Sequence, residues 1–122
     1  MHIGIDIVEN ERISRALNRS GQAFFEKFTS QEERQRESMS DSNIERLAGI
    51  WASKEAAVKA LGTGFRNGIV FHDIRISHGS LGEPYYTFHG EFKKIMASKG
   101  LNSATLSISH CGTHTVAVAI LS

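Results

Sequence analysis

The feature that most constrains the fold of this chain is a run of helical periodicity from about residue 41 to residue 61. Apolar residues recur there at the i, i+3, i+4 and i+7 spacing of one helix face. They are Ile44, Leu47, Ala48, Trp51 and Val58. Gly62 follows in the C′ position, where glycine favours the end of a helix. The sequence therefore predicts one long helix at the centre of the fold.

Length and charge limit the classes of function. The 122 residues suit a single domain, 1–122, with little room for a separate substrate-binding module. A deep cleft would therefore need a neighbouring subunit. Fourteen Lys and Arg oppose 13 Asp and Glu, so no overall basicity argues for nucleic-acid or anionic membrane binding. The apolar runs are far shorter than the ~20 residues of a membrane span, which predicts a soluble protein.

The N-terminus and the cysteine count favour a cytoplasmic location. MHIGIDIV is typical of a strand and lacks the basic, apolar and cleavable parts of a signal sequence. Cys111 is the single cysteine, so no internal disulfide can form.

The remaining periodicities predict short elements on both sides of the long helix. Residues 2–8 alternate as a half-buried strand does, with Asp6 pointing away from the isoleucine face. Residues 9–40 predict two short helices and a third that begins near Thr29 or Ser30. An acidic residue follows each hydroxyl by three positions, as in a capping box. One interpretation of Glu32 is therefore that it only caps this helix.

The C-terminal half predicts further strands around residues 73–78 and 85–88, then a helix from about 90 to 99. Residues 104–109 and 115–121 alternate as an antiparallel hairpin turned by residues 110–114. The fold class is therefore α+β, with an antiparallel sheet, a long central helix and smaller helices.

Two acids are placed unusually for structural residues. Glu55 lies about 20° from Ile44 around the long helix, within the apolar stripe. A salt bridge to a core Lys or Arg and a metal site are both compatible with that position. Aspartate is disfavoured in strand interiors, yet Asp6 occupies one. If strand and helix pack together, the two carboxylates converge into a typical protein contribution to a Mg²⁺ site.

Cations and glycines adjoin these acids. Lys54 and Lys59 lie about 100° and 40° from Glu55 on the helix, and we expect both to cluster near the metal with Arg66. The loop Gly62-Thr63-Gly64 could cradle phosphate or be a simple turn, since it follows a helix C-terminus, whose dipole repels anions. It lacks the Gly-Lys-Ser/Thr of a P-loop.

Two histidines flank the turn of the terminal hairpin. The i, i+4 spacing of His110 and His114 would suit a metal pair on a helix, but here the residues flank a turn, and Cys111 lacks the partner cysteines of a zinc site. His110 is better interpreted as a polar residue at a strand end.

Taken together, these motifs resemble the holo-acyl-carrier-protein synthase family of phosphopantetheinyl transferases. Gly4-Ile5-Asp6-Ile7-Val8 followed by Arg12 is similar to its N-terminal motif, and WASKEAAVKALGTG, residues 51–64, to its second. The FTSQE, LGEPY and SISH segments fall in the family's order, so the resemblance covers nearly the whole chain.

The resemblance implies a fold and a set of site residues. Asp6 and Glu55 would bind Mg²⁺ with the diphosphate of coenzyme A, and Lys59 and the loop Gly62, Thr63 and Gly64 would lie along the nucleotide. Active sites would lie between the subunits of a homotrimer. The nucleotide would also contact Ser109 and His110, and an acidic carrier protein would face Arg12, Arg15, Phe24 and Phe25.

One position departs from the family pattern. Ile50 stands where many relatives have arginine, just before the aromatic residue of the second motif. One cation expected for coenzyme A is therefore missing, and Arg46, one turn earlier on a different face, is a candidate substitute.

The implied reaction is attack by a carrier-protein serine on the β-phosphate of coenzyme A, with 3′,5′-ADP leaving, in support of fatty acid biosynthesis. Glu55 and a metal-positioned water are both candidates for the base, while Mg²⁺ and Lys59 would stabilise charge. Two rival functions remain open. One is noncatalytic binding of coenzyme A or a carrier, which would not need both acids. The other is a Mg²⁺-dependent reaction on another diphosphate.

Overall fold

Five strands and five α-helices follow one another along the chain in the computed structural model, which describes residues 1–122. In order they are β1 (His2–Glu9), α1 (Asn10–Ser20), α2 (Gln22–Phe28), α3 (Gln31–Arg36), α4 (Ile44–Leu61), β2 (Ile74–His78), β3 (Pro84–Phe88), α5 (Gly90–Ser98), β4 (Ala104–His110) and β5 (His114–Leu121). Short 3-10 turns precede α4 and β2. The α+β class and the long helix are as predicted.

The strands form two antiparallel sheets. A three-stranded sheet has the order β1-β5-β4, so that β5 is central, and β2 and β3 form a separate hairpin. The β4–β5 hairpin predicted from alternation is confirmed, and β1 pairs with β5 with Asp6 opposite Ala117.

Helix α4 lies in the middle of the molecule and is buried on nearly every side. Its side chains facing the three-stranded sheet are small, and Ala52, Ala56 and Ala57 have no exposed surface. Gly62 ends the helix in the left-handed conformation, with φ 87°. The predicted end of this helix is confirmed, whereas its α-helical part begins at Ile44, after a 3-10 turn at Asp41–Asn43.

The isoleucine face of β1 is the exposed face of the strand. Ile3, Ile5 and Ile7 are 63%, 59% and 64% exposed, whereas Gly4 and Val8 face the core with Asp6 between them. The predicted alternation is therefore confirmed, and the face that carries Asp6, opposite the isoleucines, is the buried one. The reason is that Gly4 lets the strand backbone pack directly on α4, which an isoleucine would prevent.

Helices α1, α2 and α3 pack on α4, where α2 contacts Trp51 and α3 contacts Lys54. Ser30 and Glu33 form the capping box of α3, so that Glu33, and not Glu32, is the capping acid. None of the helices combines the length and apolarity needed to cross a lipid bilayer.

Candidate active site

The contact between β1 and α4 builds the site. A Cβ at Gly4 would overlap the carbonyl oxygen of Ala56 and the amide nitrogen of Ala60, so only glycine allows this approach. Side chains two residues apart share a strand face, so Asp6 also faces the helix. The glycine thereby brings the carboxylate of Asp6 to the surface of α4.

Lys59 joins the two elements. Its ammonium donates a hydrogen bond of 2.9 Å to Oδ1 of Asp6 and one of 3.2 Å to the carbonyl oxygen of Ile5. The Asp6 side chain is only 13% exposed, while that of Lys59 is 52% exposed. The aspartate is therefore held from one side by a cation that remains accessible to a ligand.

Glu55 lies one turn before Lys59 and is half-buried. Burial raises the pKa of its carboxyl, and the charge of Asp6 raises it further, whereas Lys59 and Arg12 oppose the rise. Two carboxylates and two cations therefore interact electrostatically here, as expected if β1 packs on α4. The salt-bridge alternative for Glu55 is not what the structure shows.

The buried ion pair of this helix belongs to Lys54 instead, so the expectation that Lys54 lies beside the metal ligands is wrong. Its ammonium donates to Oε1 of Glu33 over 2.7 Å, and the two side chains are 0% and 1% exposed. The carboxylate also accepts from the backbone N–H groups of Ser30 and Ile76. Periodicity missed this pair because α3 and β2 cover a helix face that carries few large apolar residues.

The Gly62-Thr63-Gly64 segment after α4 has no free N–H groups to offer as a cradle. The amides of Gly62, Thr63 and Gly64 all donate to the carbonyl oxygen of Val58. Any ligand at this loop is therefore held by side chains or by contact with the open surface at Gly64, where a Cβ would meet nothing within 4 Å. Arg66 is exposed in the same loop.

A second polar cluster surrounds a cavity of about 270 Å³ between α4, the β2–β3 hairpin and the end of β4. Arg46 lines it and forms a two-pronged ion pair with Glu37, with distances of 2.6 Å and 2.8 Å. Ile50, 4% exposed, lines the same cavity. Arg46 thus lies near the position that lacks the family's arginine, but its charge is already balanced by a buried carboxylate.

His110 lies on the same cavity. Its Nδ1 is 2.8 Å from Oε2 of Glu45, and Ser109 beside it is exposed. The histidine therefore pairs with a carboxylate of α4, and His114 contacts the Thr113 hydroxyl instead.

The two clusters lie on different sides of α4. Arg46 precedes Glu55 by nine residues, which places them about 180° apart around the helix and roughly 13 Å apart along it. Glu45, the partner of His110, lies roughly 15 Å from Glu55 along the helix, so one chain does not bring the carboxylates and His110 into a single cleft.

The residues expected to face a carrier protein are divided between surface and core. Arg12 and Arg15 are exposed on α1, where Arg15 makes only a long contact of 3.9 Å with Glu11. Phe25 is 5% exposed in the core, and Phe24 packs on Phe28 and Trp51. The prediction that Phe25 faces a partner is therefore wrong, because the aromatic cluster that closes over α4 uses it.

The Asp6–Glu55 pair suits a hard divalent cation. Carboxylate oxygens are the ligands that Mg²⁺ prefers, and a cation would relieve the repulsion that raises the pKa of Glu55. No group of three or more His, Cys, Asp and Glu side chains is arranged as a metal site. The chain would therefore supply two ligands to such a cation, and the remaining ones would come from outside the chain.

Comparison with known proteins adds a family. A family model described as the 4′-phosphopantetheinyl transferase superfamily matches residues 2–119. The chain is 37% identical over 121 residues to the holo-[acyl-carrier-protein] synthase of Verminephrobacter eiseniae, covering 99% of this chain and 92% of that protein.

Solved structures agree with this similarity. The crystal structure of holo-[acyl-carrier-protein] synthase from Neisseria meningitidis has a TM-score of 0.91 and 32% identity, covering 99% of this chain and 97% of that one. The Helicobacter pylori synthase in complex with coenzyme A has a TM-score of 0.85 and 34% identity, covering 98% and 99%. The similarity therefore extends over the whole fold.

Proposed function

This chain belongs to the 4′-phosphopantetheinyl transferase superfamily, and from that premise we propose that it is a holo-[acyl-carrier-protein] synthase. It transfers 4′-phosphopantetheine from coenzyme A to a serine of apo-acyl carrier protein. The observation that carries the proposal is the convergence of Asp6, Lys59 and Glu55 where β1 packs on α4. Whole-length similarity to synthases, one of them bound to coenzyme A, supports it.

The reaction forms one bond to phosphorus and breaks another. The serine oxygen attacks the β-phosphorus of coenzyme A, the bond to the bridging oxygen breaks, and 3′,5′-ADP leaves with the electron pair. The serine proton passes to a base. Mg²⁺, held by Asp6 and Glu55, would neutralise charge on the diphosphate.

Lys59 and Glu55 have different roles in the proposed reaction. Lys59 fixes Asp6 through its 2.9 Å hydrogen bond and keeps an exposed ammonium that can stabilise the leaving diphosphate. Glu55 has a raised pKa and is therefore a stronger base than an ordinary glutamate, although metal coordination would lower its basicity again. A water molecule beside these carboxylates would be the other candidate acceptor for the serine proton.

The complete site lies between subunits in this proposal. The outer face of β1 exposes Ile3, Ile5 and Ile7, which pair across the sheet with Ile120, Val118 and Val116. A continuous apolar sheet face of this kind is typical of a protein interface. A homotrimer would cover it and bring His110 and Ser109 of one subunit towards the Asp6–Glu55 pair of the next, where they would contact the nucleotide with the loop Gly62, Thr63 and Gly64.

The carrier would approach over α1. Arg12 and Arg15 are exposed there, and Arg12 is close enough to Glu55 to lower the pKa of that carboxyl. Cations beside the metal site suit an acidic carrier protein that must bring its serine to the diphosphate. In this proposal the enzyme acts in the cytoplasm and supports fatty acid biosynthesis.

The direct test is the intact mass of apo-acyl carrier protein after incubation with the protein, coenzyme A and Mg²⁺. We expect a gain of one phosphopantetheine group, formation of 3′,5′-ADP, and loss of both on addition of EDTA. Asp6→Asn provides the catalytic control, since it keeps the size of the side chain. Binding of coenzyme A without any mass gain on several carriers would indicate a binding function instead. Release of a different product would indicate an enzyme that acts on another diphosphate.

A further inference from the structure

The C-terminal end of α4 presents an electrostatic problem for an anionic donor. The aligned peptide dipoles place about half a negative charge at this end. The N–H groups of Gly62, Thr63 and Gly64 point back to the carbonyl oxygen of Val58 and are not available to an anionic ligand. A phosphate-bearing ligand that extends along the helix from Glu55 therefore requires a cation here.

Lys99, which directly follows α5, supplies one. Its Nζ donates a 2.7 Å hydrogen bond to the carbonyl oxygen of Leu61, the last residue of α4. The ammonium therefore lies on the exposed carbonyl end of the helix, where a positive charge offsets the dipole. This contact joins the ends of two helices that are 38 residues apart in sequence.

The position of this ammonium relates it to the carboxylate face of α4. Gly62 follows Glu55 by seven residues, so its direction around the helix differs by about 20° and it lies roughly 10 Å further along. A Cβ on Gly62 would be 3.9 Å from Nζ of Lys99. Glu55, Lys59 and the Lys99 ammonium therefore lie in a line along one face of the molecule.

We propose that Lys99 is a donor-binding residue that contacts a phosphate oxygen of coenzyme A beyond the metal centre, an assignment that rests on the proposed function. An ammonium has three donors, and Leu61 takes one of them. The other two are free to meet an anionic oxygen, and Lys99 is exposed. The absent side chain at Gly62 leaves room for the ligand beside the ammonium.

The test is the affinity for coenzyme A, measured by calorimetry without carrier protein. We expect Lys99→Met to weaken binding about tenfold, which is the size of one charge-assisted hydrogen bond at a surface. Lys99→Arg keeps the charge and should bind within about threefold of the parent protein. Lys93→Met, which removes an exposed lysine from α5, is the matched control and should leave affinity unchanged.

Kinetics separate binding from a structural role. Lys99→Met should raise KM for coenzyme A with little change in kcat or in KM for the carrier, and should reduce the salt dependence of coenzyme A binding. Equal affinities of Lys99→Met and the parent protein for coenzyme A would overturn the assignment. Equal losses of affinity in Lys99→Met and Lys93→Met would overturn it as well, and so would a parent protein that does not bind coenzyme A. A parent protein that binds coenzyme A but modifies no carrier would overturn the proposed function alone.

Discussion

Lys54 and Glu33 form an ion pair of 2.7 Å in which neither side chain is more than 1% exposed. The pair ties α4 to α3, and through the N–H of Ile76 to β2. Because Lys54 precedes Glu55, it also fixes the rotation of the helix that presents the Glu55 carboxylate.

Breaking this pair should destabilise the protein strongly. Lys54→Met would leave the Glu33 carboxylate buried without its cation, and we expect a loss of about 3–5 kcal/mol in urea unfolding. Adding Glu33→Gln removes the uncompensated charge and should recover part of that loss. Lys94→Met is the control, because its pair with Glu91 is exposed and should contribute less than about 1 kcal/mol. Equal effects of the two lysine substitutions would contradict the prediction.

Gly4→Ala should impair both stability and activity. The new methyl group would overlap backbone atoms of Ala56 and Ala60, so that β1 must move away from α4 and carry Asp6 with it. Overpacking of this kind costs typically about 1–3 kcal/mol, and we expect a large fall in kcat from the displaced carboxylate. Gly112→Ala has open space and should change neither measurement. Full activity in Gly4→Ala would show that the close approach does not position Asp6.

Glu55→Gln should abolish transfer but stabilise the fold in buffer without divalent metal. Burial and Asp6 hold the pKa of Glu55 above its unfolded value, so the ionised form opposes folding at neutral pH. This cost disappears as pH falls through the raised pKa, so the difference in Tm between the two proteins should be largest near pH 7 and shrink in acid. Added Mg²⁺ should stabilise the parent protein more than Glu55→Gln. A lower Tm for the variant at pH 7 would contradict the assignment.

These predictions depend on features that sequence reasoning recovered unequally. The long helix and the terminal hairpin follow from periodicity, because each element repeats its pattern over several residues. The convergence of Asp6 with Glu55 depended in addition on the packing of β1 against α4, which periodicity does not give. The buried face of β1 did not follow, since alternation gives two faces without saying which packs inside. The burial of Lys54 was hidden for a related reason: a helical wheel shows residue types but not which other elements surround the helix.

The exposed isoleucine face predicts assembly. Ile5→Lys places a charge in the centre of that face and should dissociate the proposed trimer in sedimentation experiments, with loss of transfer activity. Leu81→Lys changes an equally apolar residue, 91% exposed in the β2–β3 turn, and serves as a control for added charge. Both variants remaining trimeric would place the interface elsewhere.

Subunit mixing tests the shared site. Glu55→Gln and His110→Ala should each be inactive as pure proteins, since one lacks a metal ligand and the other the proposed nucleotide contact. Coexpressed with different affinity tags and purified on both, they should form mixed trimers that recover roughly a third of the parent activity, because one of the three interfaces in each mixed trimer has both halves intact. No recovery in purified mixed trimers would place the whole site within one chain.

Strand β1 has little freedom to change, because it is used from both sides. Its inner face fits glycine against α4 and presents Asp6, while its outer face carries Ile3, Ile5 and Ile7. Almost every position therefore has either a chemical or an assembly role in our proposal, within only eight residues. A saturation mutagenesis library selected for growth should consequently accept fewer substitutions in this strand than in the equally exposed helix α1. The evolutionary adaptability of the enzyme would then lie in its helices, with the N-terminal strand as the part least able to drift.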